Sequence, residues 1–407
     1  MLKNLNVSDI PSGKILVDTQ KASALKALFL LVRHAHMVNQ MLMSVMVCRM
    51  VQLSVLFGVS KESAFAFAAY GTLCSKYVGI DAACAYGKIA LSIVERFNAK
   101  SVLARVTCVL NDFLIFKEPL QSRLPSLKNA YEIGLQMGDI EWALTDANIY
   151  VLTAIQSGRN LSLLSSEIQS FMQQMKVYKH HTLIVATLYN RFVANLIEDT
   201  DDPTDLALDS DDFVGMSQEV KRISIVNRGY FLRLWLAYLF GNYQLAADMA
   251  ERRWEINKSR PFRSSSLANE TFYTGLTAVM IARKGDGDSM KWKGVALAGR
   301  DELKKWMTHS DWNFAHKYFL LSAEIEFYLN NNTEEATKLY GSAIESAKKH
   351  GFQSELALAY ERAAMHYDSS PNQNPTKALE FYRLAHQAYL DWGGLTKARH
   401  LYEKTLA

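Results

Sequence analysis

The sequence predicts an all-α protein, an α-solenoid built from stacked antiparallel helix hairpins. Two stretches of its last third share one spacing of small and aromatic residues, Ala336-Tyr340-Ala343 and Ala378-Tyr382-Ala385. On a helix these positions lie on one face, where alanines let a neighbouring helix approach and the tyrosine fills the space beside it. The two stretches lie 42 residues apart, a period typical of stacked hairpins. Residues that alternate between apolar and polar, as a strand requires, form no sustained run.

The N-terminal residues 1–20 contain a turn, Pro11-Ser12-Gly13, and no sustained apolar period, so they predict a loosely held lead. Helical spacing begins at Ala22 and continues into a methionine-rich second helix. The stretch from Met41 to Val59 is the most membrane-like part of the chain. Arg49 interrupts it, and a charge at mid-bilayer is costly, so a buried helix is favoured over a membrane span.

Short breaks divide the following N-terminal helical-repeat segment, residues 21–197, into arms. Gly79 and Gly138 mark two of these breaks, and Pro119 precedes an arm, where its missing N–H does no harm. Apolar residues recur with a helical period between the breaks. The predicted arms span residues 63–77, 82–97, 101–116, 120–137, 140–156, 161–178 and 181–197.

An acidic stretch, residues 198–217, interrupts the helical pattern. It contains Pro203 and few apolar anchors, which predicts an exposed loop. Clustered carboxylates can bind calcium, but this stretch lacks the residue order of a calcium-binding loop, so the solvated loop is favoured. The C-terminal repeats, residues 218–407, follow with arms at 222–239, 244–256, 265–282, 290–307, 312–329, 333–349, 353–367, 376–392 and 395–405.

The charge and the cysteines of the chain restrict its function class. Forty-five basic and 41 acidic side chains give a net charge of +4, without a basic block that would indicate nucleic-acid binding. The cysteines stand singly in apolar stretches, which predicts small core residues in a reducing compartment. The N-terminus lacks a secretory pattern, so the expected location is cytoplasmic. The four cysteines are Cys48, Cys74, Cys84 and Cys108.

No residue of the sequence is predicted to be catalytic, to bind a cofactor or to ligate a metal. A phosphate-binding loop is absent, because Gly87-Lys88 lies inside a helical stretch and Gly13-Lys14 lacks the remaining residues of the motif. His34 and His36 are two residues apart and therefore point to different helix faces. Glu324 and Glu326 are likewise not a paired acid and base.

The densest basic cluster is the best candidate for a partner-binding site. Arginine's planar fork suits an acidic peptide or a phosphate. The alternative, which the spacing favours, is a solvated helix end whose cations offset the C-terminal dipole. The candidate residues are Arg252, Arg253, Trp254, Arg260 and Arg263.

The two alanine and tyrosine stretches resemble tetratricopeptide repeats, although the opening Trp-x2-Leu-Gly of that repeat is absent. From about Met50 to the end, a string of short motifs resembles the helical region of large multidomain sensor kinases. In those proteins a serine/threonine-kinase-like domain and an ATPase precede this region, and a GAF domain and a histidine kinase follow it. The motifs are Ser63-Ala64-Phe65-Ala66-Phe67-Ala68-Ala69-Tyr70-Gly71, Phe97-Asn98-Ala99-Lys100, Phe116-Lys117-Glu118-Pro119-Leu120, Gly138-Asp139-Ile140-Glu141-Trp142-Ala143, Ala359-Tyr360-Glu361-Arg362-Ala363-Ala364 and Ala388-Tyr389-Leu390-Asp391-Trp392-Gly393-Gly394.

The resemblance implies a signalling role without a catalytic one, because the motifs of the kinase and ATPase domains are missing. The leading hypothesis is a non-enzymatic scaffold that binds a protein partner, a peptide or helix in the solenoid groove, in kinase or phosphorelay signalling. The alternative is a regulatory helical fragment of a larger ATPase or histidine kinase whose catalytic domains lie on adjacent sequence. A nucleic-acid-binding solenoid is disfavoured by the near-neutral charge. The oligomeric state is left open.

Overall fold

A computed structural model of the chain describes residues 10–208, 223–257, 267–285, 288–369 and 373–407, without the side chains of 36–38. These ranges contain eighteen α-helices and no strand. The nearest approach to a sheet in them is an isolated parallel bridge between Ile15 and Val59. The prediction of an all-α helical-repeat fold is confirmed.

The helices agree with most of the predicted arms to within about two residues at each end. They are α1 (Thr19–Val38), α2 (Gln40–Phe57), α3 (Lys61–Tyr77), α4 (Ile80–Arg96), α5 (Lys100–Leu114), α6 (Leu120–Gln136), α7 (Ile140–Gln156), α8 (Leu161–Val177), α9 (Leu183–Ile197), α10 (Ile223–Leu239), α11 (Tyr243–Asn257), α12 (Leu267–Ala282), α13 (Ser289–Met307), α14 (Asp311–Tyr328), α15 (Thr333–Lys349), α16 (Gln353–Ser369), α17 (Pro375–Trp392) and α18 (Leu395–Thr405).

The chain divides into two compact units. The first comprises residues 1–118 and 122–150, and the second comprises residues 119–121 and 151–407. The predicted segments 21–197 and 218–407 follow the repeat pattern rather than these units, and they remain a prediction.

Helices α3, α4 and α5 form the centre of the first unit. A Cβ atom at Gly71 would lie 2.8 Å from the ring of Phe113, and one at Gly87 would lie 3.0 Å from it. The two glycines therefore make room for the phenyl ring between α3 and α4. Phe65 packs at the edge of the same core, with its ring centroid 5.8 Å from that of Trp142.

The predicted loose lead is wrong for its described part, residues 10–18. The backbone N–H of Leu16 donates to the Val59 carbonyl at 3.0 Å, and the N–H of Val59 donates to the Lys14 carbonyl at 2.8 Å. Arg96 donates from Nη1 to the carbonyl of Gly13 at 2.9 Å. These bonds join the lead to the connection between α2 and α3 and to α4, and they do not require an apolar period in the sequence. Residues 1–9 lie outside the described residues.

Helix α2 has two different faces. Val47, Met50 and Leu53 are buried on one side, whereas Met41 and Val45 are mostly exposed. By length and composition α2 is the one helix among those described that could cross a membrane, and 28% of its span is buried within the protein. The prediction of a buried helix therefore holds for one face of α2.

The cysteines all lie in the first unit and none of them forms a disulfide. Cys74 is buried, as predicted, and the other three are partly buried. Burial raises the pKa of the Cys74 thiol to about 11, which keeps it protonated and unreactive at neutral pH.

The second unit is a stack of helix hairpins in two layers. Helices α10, α12, α14 and α16 contact one another in sequence, and α11, α13, α15 and α17 pack as their hairpin partners. Both predicted packing triplets, Ala336-Tyr340-Ala343 and Ala378-Tyr382-Ala385, are buried in this unit. Trp235 on α10 packs between two neighbouring helices. Its ring centroid lies 5.1 Å from that of Phe192 on α9 and 4.6 Å from that of Tyr273 on α12.

The C-terminal helix α18 contacts α9 as well as its neighbour α17. Thr396 donates from Oγ1 to the backbone carbonyl of Glu198 at 2.5 Å, and Arg399 forms an exposed ion pair with Asp199 at 2.5 Å. The second unit therefore departs from a simple solenoid, in which each hairpin contacts its sequence neighbours alone.

The described part of the acidic stretch is also attached to the second unit. Asn195 donates from Nδ2 to the carbonyl of Pro203 at 3.2 Å, and Arg191 donates from Nη1 to the carbonyl of Leu206 at 3.0 Å. Leu206 is fully buried. The described part of the stretch is a loop, as predicted, and Asp205 is exposed, but Thr204, Leu206 and Leu208 are buried, so the prediction of exposure is wrong at these three positions. Residues 209–217 lie outside the described residues.

Candidate functional site

A cavity of about 210 Å³ lies within the second unit, among α10, α11, α16, α17 and α18. Helix α16 contributes the largest share of its wall, because Leu358, Glu361, Arg362 and Met365 recur at helical spacing on one side. The remaining lining residues are Tyr238, Leu239, Gly241, Tyr243, Asp368, Tyr382, His400, Leu401, Lys404 and Thr405.

The guanidinium of Arg362 is buried beside the cavity and paired with Glu324. Arg362 donates from Nε to Glu324 Oε1 at 3.0 Å and from Nη2 to Oε2 at 2.5 Å. Tyr340 donates its hydroxyl to Glu324 Oε1 at 2.6 Å. Burial disfavours the charged guanidinium, but Glu324 together with the neighbouring tyrosines Tyr238, Tyr243 and Tyr328 outweighs this effect, and the pKa of Arg362 lies well above its usual range. Arg362 therefore remains a cation whose charge is compensated inside the fold.

A second ion pair, between the buried Lys397 and the partly buried Glu361, adjoins the same wall. Lys397 donates from Nζ to Glu361 Oε1 at 2.8 Å, and Tyr389 donates its hydroxyl to Glu361 Oε2 at 2.7 Å. Burial alone would raise the pKa of Glu361, but Lys397 and Tyr389 stabilise the carboxylate and lower it. Both oxygens of Glu361 are thus occupied by partners within the protein.

Helix α16 carries a third ion pair one turn before the cavity. Lys317 donates from Nζ to Glu355 Oε1 at 2.7 Å, and each side chain is about 1% exposed. Helix α16 therefore carries three ion pairs to α14 and α18, two of them fully buried and the third partly buried. Removing one partner of a buried pair would leave an uncompensated buried charge.

Several polar groups of the cavity wall have no partner. Tyr238 is 2% exposed, and its hydroxyl forms no hydrogen bond with any residue that the structure describes. The same holds for His400 Nδ1. Lys404 and Asp368 line the cavity as exposed residues and form no ion pair within the described ranges.

The polar groups of the wall differ in their protonation and hydrogen bonding. Burial raises the pKa of the Tyr238 hydroxyl well above its usual value, so it stays protonated and can donate. Burial, together with Lys397, lowers the pKa of His400 to about 4, so its imidazole is neutral at pH 7. The hydroxyl of Thr405 donates to its own helix, to the carbonyl of Leu401 at 2.7 Å. Among the described lining residues no hydroxyl or thiol is hydrogen-bonded to a base that would activate it.

The predicted basic patch is only partly described. Arg260 and Arg263 lie outside the described residues. Arg253 is 4% exposed, and it donates from Nη2 to Glu270 Oε2 at 2.5 Å and from Nε to Asn227 Oδ1 at 3.2 Å. Its guanidinium is therefore used in packing α11 against α10 and α12, which corrects its inclusion in a surface patch.

Arg252 and Trp254 are the described members of the patch that reach the surface. Arg252 is exposed, and its guanidinium lies 5.7 Å from the ring centroid of Tyr230. Trp254 is partly buried, with its ring centroid 5.0 Å from that of Trp292. The two residues remain a predicted contact site.

The cavity residues were missed by the sequence reasoning, although a signal for them exists. Glu361 and Arg362 interrupt a run of alanines in a helix whose other face is apolar, and charged residues at core positions require partners. Glu324 was considered only as the partner of Glu326, whereas its contacts lie on other helices. Glu324 and Arg362 are 38 residues apart in the sequence, so the spacing of nearby residues cannot predict that they pair.

No protein-family model matches the chain, and no curated protein matches it. Solved structures do match. A Rap protein complexed with competence and sporulation factor superimposes with a TM-score of 0.57 at 9% identity, over 92% of this chain and 98% of that chain. The apo form of the quorum sensor NprR from B. thuringiensis has a TM-score of 0.49 at 12% identity, over 91% of this chain and 99% of that chain. The likeness to the Rap protein shows a shared helical-repeat fold.

Proposed function

We propose that this chain is a non-enzymatic helical-repeat scaffold that binds a segment of a protein partner, and that the cavity beside α16 receives part of that segment. The single observation that carries the proposal is the composition of the cavity wall. The charges of Arg362, which is buried, and of Glu361, which is partly buried, are compensated by partners inside the fold, whereas the Tyr238 hydroxyl and His400 Nδ1 have no hydrogen-bond partner among the described residues.

The fold supports a binding role. The Rap protein that shares this fold is complexed with competence and sporulation factor, and we extend a binding role of this kind to the present chain. Stacked hairpins present side chains from several helices to one ligand, as α10, α16 and α18 do around the cavity.

A place in kinase or phosphorelay signalling is the finer part of the proposal. It is supported by the motifs that resemble the helical region of sensor kinases, two of which supply Glu361, Arg362 and Tyr389 to the site. A cytoplasmic location is part of the same proposal, supported by four cysteines that form no disulfide.

Blocking the cavity tests the proposal. Thr405 lies on the wall near the end of α18 and bonds only to its own helix, so Thr405→Trp fills the cavity at little cost to folding. Glu403, two residues earlier, is exposed and does not line the cavity, so Glu403→Trp is the matched control. Affinity capture from native lysate should yield a partner with the wild type and Glu403→Trp, and lose it with Thr405→Trp.

Three results would contradict parts of the proposal. Equal capture by both tryptophan variants would remove the cavity from the binding site. A captured set without a kinase or phosphorelay protein would remove the signalling assignment. ATP hydrolysis or self-phosphorylation by the purified chain would overturn the non-enzymatic assignment.

A further inference from the structure

The geometry points to a carboxylate of the bound peptide segment as the group that the cavity recognises. This inference rests on the proposed function and deepens it. It concerns one site, the part of the wall formed by Tyr238 on α10 and by His400 and Lys404 on α18.

The first argument comes from Tyr238. A buried hydroxyl without a partner is rare in folded proteins, and a bound group or water that completes its hydrogen bonding explains it. The hydroxyl is protonated at neutral pH because burial raises its pKa, and Tyr238 is one of the residues that line the cavity. A protonated phenol is a donor, so its partner of choice is an acceptor, and an ionised acceptor forms the stronger bond.

The second argument comes from the balance of charge around the cavity. Arg362 and Lys397 are each paired with a glutamate, Glu324 and Glu361 respectively. The Lys404 ammonium is then the cation of the wall that has no anionic partner among the described residues. A single negative charge on the occupant would compensate it.

The third argument concerns Asp368, the unpaired carboxylate of the wall. An occupant whose negative charge is spread over the whole group, such as inorganic phosphate, would meet Asp368 with like charge. A peptide carries N–H donors next to its carboxylates, and these can bond to Asp368 while the carboxylate bonds to Tyr238 and Lys404. The wall therefore favours a peptide carboxylate over a phosphate.

The size of the cavity limits the occupant to a small group. Sites that enclose a drug-sized molecule have volumes of roughly 300–1,000 Å³, and this cavity holds about 210 Å³. One amino-acid side chain or one chain terminus therefore enters, and the rest of the peptide lies outside. The carboxylate can come from a C-terminus or from an Asp or Glu side chain.

Three pools of short, N-acetylated synthetic peptides separate these sources. The first pool has a free C-terminal carboxylate and no Asp or Glu. The second has a C-terminal amide and one central Glu, and the third has a C-terminal amide with Gln in place of that Glu. Each pool is passed over immobilised full-length protein, with Thr405→Trp as the blocked reference and Glu403→Trp as its control.

Enrichment of the first pool over the third would assign the site to a C-terminus, and enrichment of the second would assign it to an acidic side chain. If the third pool is retained as strongly as the others and this retention is lost in Thr405→Trp, the cavity binds peptides without recognising a carboxylate. That result would overturn this inference and leave the proposed function intact. Retention of no pool by the wild type would overturn both.

Point variants test the named groups on the retained peptides. Tyr238→Phe should weaken binding about tenfold, the loss expected for one hydrogen bond to a charged group. Its unfolding midpoint should stay unchanged or rise, because the hydroxyl has no partner in the described fold. Lys404→Gln should weaken binding and flatten its salt dependence, whereas Lys349→Gln, an exposed control outside the cavity, should change neither. Unaltered affinity in both Tyr238→Phe and Lys404→Gln would refute the inference.

Discussion

Replacing Arg362 by methionine tests whether the wall of the cavity depends on a buried ion pair. The guanidinium is 2% exposed, and its partner carboxylate on Glu324 is fully buried. Arg362→Met keeps an unbranched apolar side chain in place of the arginine stem and removes the charge. It deletes two of the three described hydrogen bonds of Glu324 and leaves the one from the Tyr340 hydroxyl.

The expected loss of stability is large. Removing one partner of a buried pair costs about 3–5 kcal/mol, because the other charge is left uncompensated. A second count agrees, since two hydrogen bonds to a charged group at about 1.5–3 kcal/mol each give a similar sum. Replacing both residues, Arg362→Met with Glu324→Met, removes the buried charge altogether. The double variant then loses mainly the acceptor of the Tyr340 hydroxyl, about 1–3 kcal/mol, and should be more stable than the Arg362→Met single variant.

The assay is urea unfolding at pH 7 followed by far-ultraviolet circular dichroism. Arg399→Met is the control, because Arg399 pairs with Asp199 at a site where both side chains are more than half exposed, and such pairs contribute about 0–1 kcal/mol. If Arg362→Met costs no more than Arg399→Met, or if the double variant costs the sum of the two single variants, the ion pair is not the buried, coupled unit described above.

Three further predictions concern packing, a buried acid and the surface patch. Ala343 is fully buried, so Ala343→Trp should lower the unfolding temperature through overpacking, whereas Gly341→Ala, at an exposed position with nothing near its Cβ, should leave it unchanged or higher; equal effects would contradict the packing role. Burial raises the pKa of Asp146 well above its usual value, and neither of its carboxylate oxygens has a partner in the described ranges. The folded protein therefore holds this proton to higher pH than the unfolded chain does, and the free energy of unfolding should fall as pH rises from about 4, by up to about 1.4 kcal/mol per unit until the folded pKa is reached. Asp146→Asn should remove this slope and be more stable at pH 7, and an unchanged slope in chemical unfolding would refute it. At the predicted patch, Arg252→Glu should reduce partner capture with little effect on stability, whereas Arg253→Met should lower stability because Arg253 is buried and paired; full capture by Arg252→Glu would remove the patch as a contact site.

The helices could be predicted from the sequence because their signal is local. Apolar spacing, glycine breaks and the two alanine and tyrosine triplets depend on residues within a few turns of one another. Arms such as 333–349 coincide with the helix of the structure, Thr333–Lys349. The triplets indicated which helix faces would be buried, and the burial of Tyr340 and Tyr382 follows from that pattern.

The contacts of two segments, the N-terminal lead and the acidic stretch, were not predicted from the sequence. Residues 10–18 and 203–208 are held mainly by backbone carbonyl and N–H groups that bond to distant residues, among them Arg96 and Asn195. Every residue has a backbone carbonyl and every residue except proline has a backbone N–H, so the pattern of side chains does not predict which of these groups form long-range hydrogen bonds. Absence of a period therefore indicated a lack of helix, and it did not indicate a lack of contacts.

By itself, the sequence determined that this chain is a stack of helices, since that outcome follows from short-range periodicity and from the small residues that permit close packing. The tertiary structure decided which charged residues face inward and which partner each one meets. Glu324 and Arg362 are bonded across 38 residues, and α18 returns to α9. The cavity exists because of these long-range contacts. The Tyr238 hydroxyl has no hydrogen-bond partner among the described residues, and that property depends on three-dimensional geometry rather than on spacing along the chain.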